Sequence, residues 1–169
     1  MSNQASFPHG LLWLGSGIFT LAYISGLFVL LPETIVTHLD WTGVPDSWGD
    51  RTESLGVILC IFALVQGMFY GFTIWIERIP LSILNIPWKN YWCANPERMN
   101  EMYRRTRVLL QITGYYCNFI FLGVLASIHT TTENLGGNGF SRILSFALFV
   151  STVVFIGWIF RFFRPPNPS

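Results

Sequence analysis

The chain has 169 residues, of which 51% are hydrophobic, 17% aromatic and only 11% charged. Soluble domains usually carry about 25% charged residues, so this chain has too few to cover a water-exposed surface. Its formal net charge of +1 provides no basic face for phosphate groups. Composition therefore excludes a soluble enzyme, a disordered tail and a nucleic-acid binder.

Four stretches contain no Asp, Glu, Lys, Arg or Pro, and they cover residues 11–31, 55–76, 108–128 and 143–160. A hydrocarbon core about 30 Å thick needs ~20 apolar residues in a helix. Continuous apolar runs favour helices, because the strands of a membrane barrel alternate in polarity. The sequence predicts an all-α, integral membrane four-helix bundle, formed as a single transmembrane domain over 1–169. The first stretch lacks the basic leader and cleavage site of a signal peptide, so we expect it to be retained.

The polar loop 32–54 follows the first span. Gly43 permits a positive φ and Pro45 suits a turn, so we expect a compact lid in which Asp46 caps the next helix. We expect His38 to hydrogen-bond to loop backbone or to an aspartate. The alternative is a divalent-cation site or a pH-sensitive contact; the candidate metal ligands are His38, Asp40 and Asp46, although no fixed ligand spacing supports a metal. The residues assigned to this outer-loop motif, as ligand contacts or as structural residues, are His38, Asp40, Gly43, Pro45, Asp46, Trp48 and Arg51.

The second span carries small residues four positions apart, at Ala63, Gly67 and Gly71. Lipid removes the hydrophobic drive between helices, so close packing of small residues must supply part of their association. We expect this face to pack within the bundle. A dimer interface is the alternative.

The strongest uncharged polar residues inside the spans are Gln66, Gln111 and Asn118. Gln111 and Asn118 are seven residues apart and share one helix face. A transport pathway is one interpretation, but proton and ion pathways usually contain buried charges, and these spans have none. We therefore predict that the three residues form hydrogen bonds between helices. The cysteines form no metal-binding spacing, and we predict no cofactor.

The loop 77–107 begins with an aromatic, proline-interrupted segment and continues into a predicted helix. Asn95 provides the cap, Pro96 occupies the first position, and Glu97 lies near the positive end of the helix. We expect an amphipathic helix that lies on the inner membrane surface and bends into the third span near Arg107. Its simplest role is attachment to anionic lipid, at roughly 1 kcal/mol per basic residue; partner docking is the alternative. The residues assigned to this inner contact are Asn85, Pro87, Lys89, Tyr91, Trp92, Pro96, Glu97, Arg98, Arg104, Arg105 and Arg107.

The basic residues predict how the spans are oriented. Eight of the ten basic residues lie in the loop 77–107 or in the C-terminal tail. Cytoplasmic loops carry the excess of Lys and Arg, so the predicted topology is N-in and C-in, with an outer loop at 32–54 and an inner loop at 77–107. The third loop holds only Arg142, and residues 137–139 (Gly-Asn-Gly) predict a plain turn in it.

Two motifs carry a resemblance to a known family. The outer motif reads Pro32, Ile35, His38, Gly43, Pro45, Asp46, Trp48 and Arg51. It resembles the outer-loop signature of a bacterial membrane family of unknown function, which SdpI-type toxin-immunity proteins share. The inner motif, which looks like the hallmark of a subgroup, reads Asn85, Pro87, Lys89, Tyr91, Trp92, Pro96, Glu97 and Arg98. Trp88 departs from the family pattern, where this position is usually polar, and the spacing through Cys93–Asn95 is slightly longer than expected.

The resemblance implies a bacterial cytoplasmic membrane protein. The best-described family members confer resistance to a secreted toxin and capture a repressor at the membrane, but they are longer and have more spans. We expect a non-enzymatic protein that acts by interaction, with the bilayer and a membrane-protein partner or a second copy as its contacts. The alternative is an accessory subunit of a respiratory, photosynthetic or transport complex. An enzyme is not expected, because only His38 and the loop aspartates offer catalytic chemistry.

Overall fold

A computed structural model of the protein describes residues 7–40, 44–133 and 137–165. Four of its helices are long and apolar enough to cross a membrane, which fits a multi-pass membrane protein. A helix satisfies its own backbone hydrogen bonds in lipid, so each continuous apolar stretch is helical. The long helices are α1 (Phe7–Leu30), α2 (Arg51–Trp75), α4 (Pro96–Thr132) and α5 (Gly137–Phe163).

The third long helix, α4, is the centre of the fold. It packs against α1, α2 and α5, and α1 and α2 also contact each other. The buried positions of α4 recur at helical spacing, so one stripe of the helix faces its neighbours. They are Met102, Val108, Gln111, Gly114, Asn118 and Leu125. The arrangement is consistent with the predicted all-α bundle and is organised around α4.

The segment between α1 and α2 forms a β-hairpin, which the sequence analysis did not predict. Strands β1 (Thr34–Leu39) and β2 (Pro45–Asp50) pair antiparallel, and their register is irregular beyond Val36. The β-branched run at the start of β1 favours a strand. Ile35 and Val36 are buried, and the backbone N–H of Val36 donates to Oγ1 of Thr132 at 3.1 Å. The hairpin therefore rests on the end of α4; we call this side of the molecule the hairpin end.

The opposite side, which we call the arginine end, contains the ends of α2 and α5 and the start of α4. A 3₁₀ turn (Ile76–Arg78) and the short helix α3 (Lys89–Trp92) lead to α4. As predicted, α4 begins with Asn95 as its cap, accepting from the backbone N–H of Arg98 at 2.9 Å, followed by Pro96. The described chain starts and finishes at this end.

Two helix bounds differ from the expectation. No helix begins or ends near Arg107, because α4 runs through this position as one helix of 37 residues, about 55 Å long. Its apolar side at this end is covered by protein: Met102 is fully buried in a cluster with Ile86, Trp92 and Phe163. The predicted turn at 137–139 is also absent, since α5 begins at Gly137.

Candidate functional site

The hairpin presents an exposed pair of polar side chains, His38 and Asp46. Nδ1 of His38 lies 2.6 Å from Oδ1 of Asp46, and the two side chains are 68% and 46% exposed. This is the aspartate contact that the sequence analysis expected for His38. The same strands expose the large apolar side chain of Trp48. The combination gives this surface one titratable pair and one aromatic ring.

The other acidic residues of the hairpin serve its own structure. Oδ1 of Asp40 accepts from the backbone N–H of Val44 at 2.8 Å, across the connection between the strands. The cap of α2 is Asp50, which accepts from the backbone N–H of Glu53 at 2.9 Å. The expectation that Asp46 caps this helix was wrong, because Asp46 points to His38. Gly43 lies outside the described residues, and Pro45 begins β2.

Arg51 fixes the base of the hairpin to α1. Its guanidinium Nη1 donates to the backbone carbonyl oxygen of Leu31, and its backbone N–H donates to the carbonyl of Glu33 at 2.8 Å. The last carbonyls of a helix have no partner within the helix, so a guanidinium here satisfies one of them. Arg51 therefore joins the end of α1, the start of β1 and the start of α2.

The candidate metal ligands do not come together. His38 and Asp46 pair with each other, and Oδ1 of Asp40 accepts from the backbone N–H of Val44. Within residues 7–40, 44–133 and 137–165, no three His, Cys, Asp or Glu side chains form a group able to hold a metal ion.

A polar network joins α1, α2 and α4 inside the apolar region. The indole N–H of Trp13 donates to Oε1 of Gln66 at 2.5 Å. Nδ2 of the fully buried Asn118 donates to Oγ of Ser16 at 2.8 Å and approaches the carbonyl oxygen of Trp13 at 3.4 Å. Such bonds supply specific contacts between helices where lipid removes the hydrophobic drive.

Gln111 faces a cavity together with Gln66. The cavity has a volume of about 520 Å³ and is lined by residues of α1, α2 and α4. Gln111 is 9% exposed, and its Oε1 has no hydrogen-bond partner among the described residues; the same holds for Nε2 of Gln66. Buried polar groups are normally paired, so these two amide atoms are exceptions; each has less than 1 Å² of accessible surface and lies within the wall of the cavity.

The small residues of α2 face outwards, contrary to the expectation that they pack within the bundle. Ala63 and Gly67 are exposed and Gly71 is half-buried. A Cβ atom added at Gly67 or Gly71 would meet nothing within 4 Å. Gly67 also lines the cavity. The four-residue spacing predicts that these residues share one face of α2, but it does not indicate which side of α2 its neighbours occupy.

At the arginine end, two motif residues hold the end of α5. The guanidinium Nη1 of Arg105 donates to the carbonyl oxygen of Phe162 at 2.7 Å, and the indole N–H of Trp92 donates to the carbonyl of Phe163 at 3.1 Å. Arg105 also lies over the Trp92 ring, 4.9 Å from its centroid. These contacts satisfy carbonyls that a helix end leaves unpaired. We call Trp92, Arg105, Phe162 and Phe163 the α5 clasp.

Other basic residues of the inner motif also contact their own chain. Arg107 donates to Glu77 at 2.7 Å, and Arg98 lies 4.2 Å from the ring centroid of Tyr91. Arg104 and Arg105 both donate to Glu101, at 2.7 and 2.8 Å. Of the remaining assigned residues, the exposed ones are Asn85, Pro96 and Glu97, and the half-buried ones are Pro87 and Lys89.

Several contacting residues were not singled out from the sequence. Trp13 and Ser16 complete the polar network, and Tyr23 pairs through its hydroxyl with Nδ1 of His129 at 3.1 Å. The hydroxyl oxygen of Tyr116 lies 2.8 Å from Oγ of Ser151. A signal existed for some of them: a hydroxyl or indole inside an apolar span needs a partner, and listing such residues span by span would have identified candidates.

No known protein family, curated protein or solved structure matches this chain.

Proposed function

We propose that this chain is a non-enzymatic, multi-pass membrane protein that acts by interaction, and that its recognition surface is the hairpin end. The observation that carries the proposal is the contrast between the two motifs. The hairpin has a fixed base and exposes His38, Asp46 and Trp48. At the arginine end, most of the assigned basic residues are occupied by contacts within the chain.

A fixed base favours recognition because little ordering entropy is lost on binding. Buried Ile35 and Val36, the Thr132 hydrogen bond and the Arg51 contact to α1 hold the strands against the helices. An exposed aromatic ring beside a polar pair is typical of a protein contact surface, where aromatic residues supply most of the binding energy. Membrane-interface anchoring of Trp48 is the competing role for this ring.

The proposed topology has the arginine end in the cytoplasm and the hairpin outside, in a bacterial cytoplasmic membrane. The excess of Lys and Arg at the arginine end supports it. Arg78, Arg161 and Arg164 are exposed at this end. Each remains available to anionic lipid, at roughly 1 kcal/mol.

The most concrete form of the proposal is an SdpI-type immunity or signalling scaffold. Its support is the resemblance of the two motifs, and the structure divides the motif residues by location. Arg51 and Trp92 make buried or half-buried contacts within the chain, whereas His38, Asp46 and Trp48 are exposed. If the resemblance reflects a common function, the exposed residues His38, Asp46 and Trp48 are the ones that recognise a partner.

Site-specific photo-crosslinking in native membranes tests the recognition surface. A benzophenone side chain is introduced at Trp48 and, as the matched control, at Val29, which is 82% exposed on the apolar length of α1. We expect a discrete protein adduct from position 48 alone, lost in the His38→Ala variant. Identical adducts at both positions, or none at 48, would count against recognition by the hairpin.

Sidedness needs its own test. Single cysteines are introduced at Asp46 and Arg104 of a variant whose native cysteines are replaced by serine. A membrane-impermeant maleimide added to intact cells should label position 46 and leave position 104 unlabelled until the cells are lysed. Labelling of both positions in intact cells contradicts the proposed topology.

A second candidate function is an accessory subunit of a larger membrane complex. The observation that favours it is the open, small-residue face of α2 at Ala63, Gly67 and Gly71, against which another helix could pack closely. Native gels after mild solubilisation test this candidate. Migration as a lone monomer or homodimer would remove it.

A further inference from the structure

The hairpin has two strands and therefore two edges, and the described residues cover only one of them. Along β1, the backbone N–H of Val36 donates to Oγ1 of Thr132, so this edge is held against α4. Strand β2 packs against β1 and against the first turns of α2, which follows it directly in the chain. No other strand in the described part of the chain pairs with the outer edge of β2. An unpaired strand edge is a template for a further strand.

The register shows which backbone groups of β2 point to this open edge. Hydrogen-bonded and non-hydrogen-bonded residue pairs alternate along an antiparallel ladder. The backbone N–H of Arg51 donates to the carbonyl oxygen of Glu33 at 2.8 Å, which makes theirs a hydrogen-bonded pair. Val36 lies opposite Trp48, three positions further along β1, so this pair is a non-hydrogen-bonded one. The backbone N–H and C=O of Trp48 therefore point away from β1, just as the N–H of Val36 points to α4.

The side chains of β2 alternate between two faces of the hairpin. Oγ of Ser47 lies 3.1 Å from Oγ1 of Thr37, and a Cβ at Gly49 would also meet the Thr37 side chain. The alternate positions of β2 share the opposite face, and all of them are exposed. They are Asp46, Trp48 and Asp50. The open edge thus presents an aromatic ring between two carboxylates.

The charges along the edge determine which strand can pair with it. Neither Asp46 nor Asp50 forms an ion pair with Lys or Arg in the part of the chain that the structure describes. The whole segment 32–54 contains five acidic residues and one basic residue, Arg51, whose guanidinium is bonded to the end of α1. A strand that adds to this edge therefore meets negative charge on both sides of Trp48, and charge complementarity favours a cationic strand.

A second copy of this chain is a poor partner for the edge. If two β2 strands paired antiparallel about Trp48, each Asp46 would lie opposite the Asp50 of the other copy. Like charges directly opposite each other destabilise a sheet, whereas opposite charges stabilise it. Self-pairing is therefore disfavoured, and a strand with Lys or Arg at both of these positions is favoured.

From this geometry we infer that the open edge of β2 binds an extended cationic peptide segment as a third strand. The segment places Lys or Arg opposite Asp46 and Asp50, and an apolar residue between them opposite Trp48. Its pattern is therefore basic-x-apolar-x-basic. Backbone hydrogen bonds to the edge supply affinity, and the alternate side chains supply specificity. The inference rests on the proposed function, because it names the kind of partner that the hairpin recognises.

Binding is measured on the full chain in phosphatidylcholine nanodiscs, by fluorescence anisotropy of labelled peptides. The probe is the peptide Thr-Lys-Thr-Val-Thr-Lys-Thr with a fluorescein at its N-terminus and an amidated C-terminus. Its charge control has glutamate at both lysine positions. We expect saturable binding of the lysine peptide, about tenfold tighter than that of the glutamate peptide. Equal binding of the two peptides, or no saturable binding of the lysine peptide, would overturn the inference.

Backbone methylation separates strand addition from simple attraction between charges. The central valine of the probe pairs with Trp48, so its N–H faces β2, whereas the N–H groups of the two adjacent threonines face away. N-methylation of the valine should weaken binding about tenfold, because it removes a hydrogen bond and places a methyl group against the edge. N-methylation of an adjacent threonine is the matched control and should leave binding nearly unchanged. Equal losses in the two peptides would contradict pairing at the edge.

Two double variants locate the charges that the peptide contacts. Asp46→Asn with Asp50→Asn removes both charges, and asparagine keeps an acceptor for His38 and a cap for α2. This variant should lose the preference for the lysine peptide. Glu33→Gln with Glu133→Gln is the matched control, because both residues are exposed at the hairpin end but lie outside β2. Loss of the preference in this control, or its retention in the edge variant, would place the peptide elsewhere and refute the inference.

The photo-crosslinking experiment keeps this inference distinct from the proposed function. A discrete adduct at position 48 without any preference for the lysine peptide rejects the cationic strand and leaves recognition by the hairpin standing. Absence of both the adduct and the preference rejects both proposals. The peptide comparisons need no protein variant, so they hold even where substitutions impair folding.

Discussion

The indole N–H of Trp92 donates a hydrogen bond to the carbonyl oxygen of Phe163, 71 residues further along the chain. Both residues are almost fully buried, at 2% and 1% exposure. This bond joins a short helix in the middle of the sequence to the last turn of α5. Since α5 packs chiefly on α4, the α5 clasp is a main contact that holds the C-terminal end of α5 to the rest of the protein.

Trp92→Phe should lower the free energy of unfolding by about 1–3 kcal/mol, because it leaves a buried carbonyl unpaired while keeping an aromatic ring. The effect is measured by denaturant unfolding in detergent. Trp75→Phe, at an exposed position on α2, is the control and should leave stability nearly unchanged. Equal stability of the two variants would contradict a structural role for the clasp.

Gly114 allows a close approach between α4 and Trp13 of α1. A Cβ at this position would lie 2.6 Å from both Cε2 and Nε1 of Trp13, well inside contact distance. Gly114→Ala should therefore displace the indole and weaken its hydrogen bond to Gln66. We expect it to lower the free energy of unfolding by about 1–3 kcal/mol. In Gly157→Ala the new methyl group meets open space, so its unfolding midpoint should match or exceed that of the parent chain.

The hydrogen bond from Asn118 to Ser16 can be measured by a double-mutant cycle. The variants are Asn118→Ala, Ser16→Ala and the double variant. We expect a coupling energy of about 0.6 kcal/mol, with an upper value of about 1.7, which is the range for hydrogen bonds between membrane helices. A coupling of zero would show that the 2.8 Å contact does not contribute to stability.

Arg51→Met should loosen the hairpin while preserving side-chain length. Loss of a charged hydrogen bond to the Leu31 carbonyl removes about 1.5–3 kcal/mol of local stability, equivalent to roughly ten- to hundredfold faster amide exchange in β1. Hydrogen–deuterium exchange over Thr34–Leu39 provides the measurement. Asp46→Asn changes only the exposed pair and should leave exchange at the buried residues Ile35 and Val36 unaltered; similar exchange in both variants would refute the anchoring role.

Trp88 adopts a left-handed backbone conformation, with φ 55 and ψ 38. This conformation costs a bulky residue about 1–2 kcal/mol, whereas Asn tolerates it much better. Trp88→Asn should therefore raise the free energy of unfolding by roughly 1 kcal/mol. Trp88→Leu removes the same ring but keeps the backbone strain and should give no gain, so a gain in both variants would point to the ring instead of the backbone.

The number of long helices was predictable because each apolar stretch is longer than 17 residues and uncharged, a pattern that water-soluble folds rarely contain. The start of α4 was predictable for a local reason: the Asn95 cap and Pro96 act on neighbouring backbone groups. Both predictions depend only on residues that are close together in the sequence.

The hairpin was missed because its stability comes from distant residues. Strand β1 is six residues long and includes a histidine, and its buried part depends on Thr132, 96 residues away. The outward direction of the Ala63–Gly71 face was missed for the same reason, since spacing shows that residues share a face but not which neighbour lies there. The clasp likewise joins segments that no local pattern connects.

The central position of α4 has a consequence for biosynthesis. Ribosomes add roughly 5–20 residues per second, so α1 and α2 enter the bilayer some seconds before the helix that both of them pack against. During that interval the hydroxyl of Ser16 lacks its partner Asn118, whereas Gln66 can already accept from Trp13. The contacts that α1 and α2 make with α4 therefore form only after residues 96–132 have emerged.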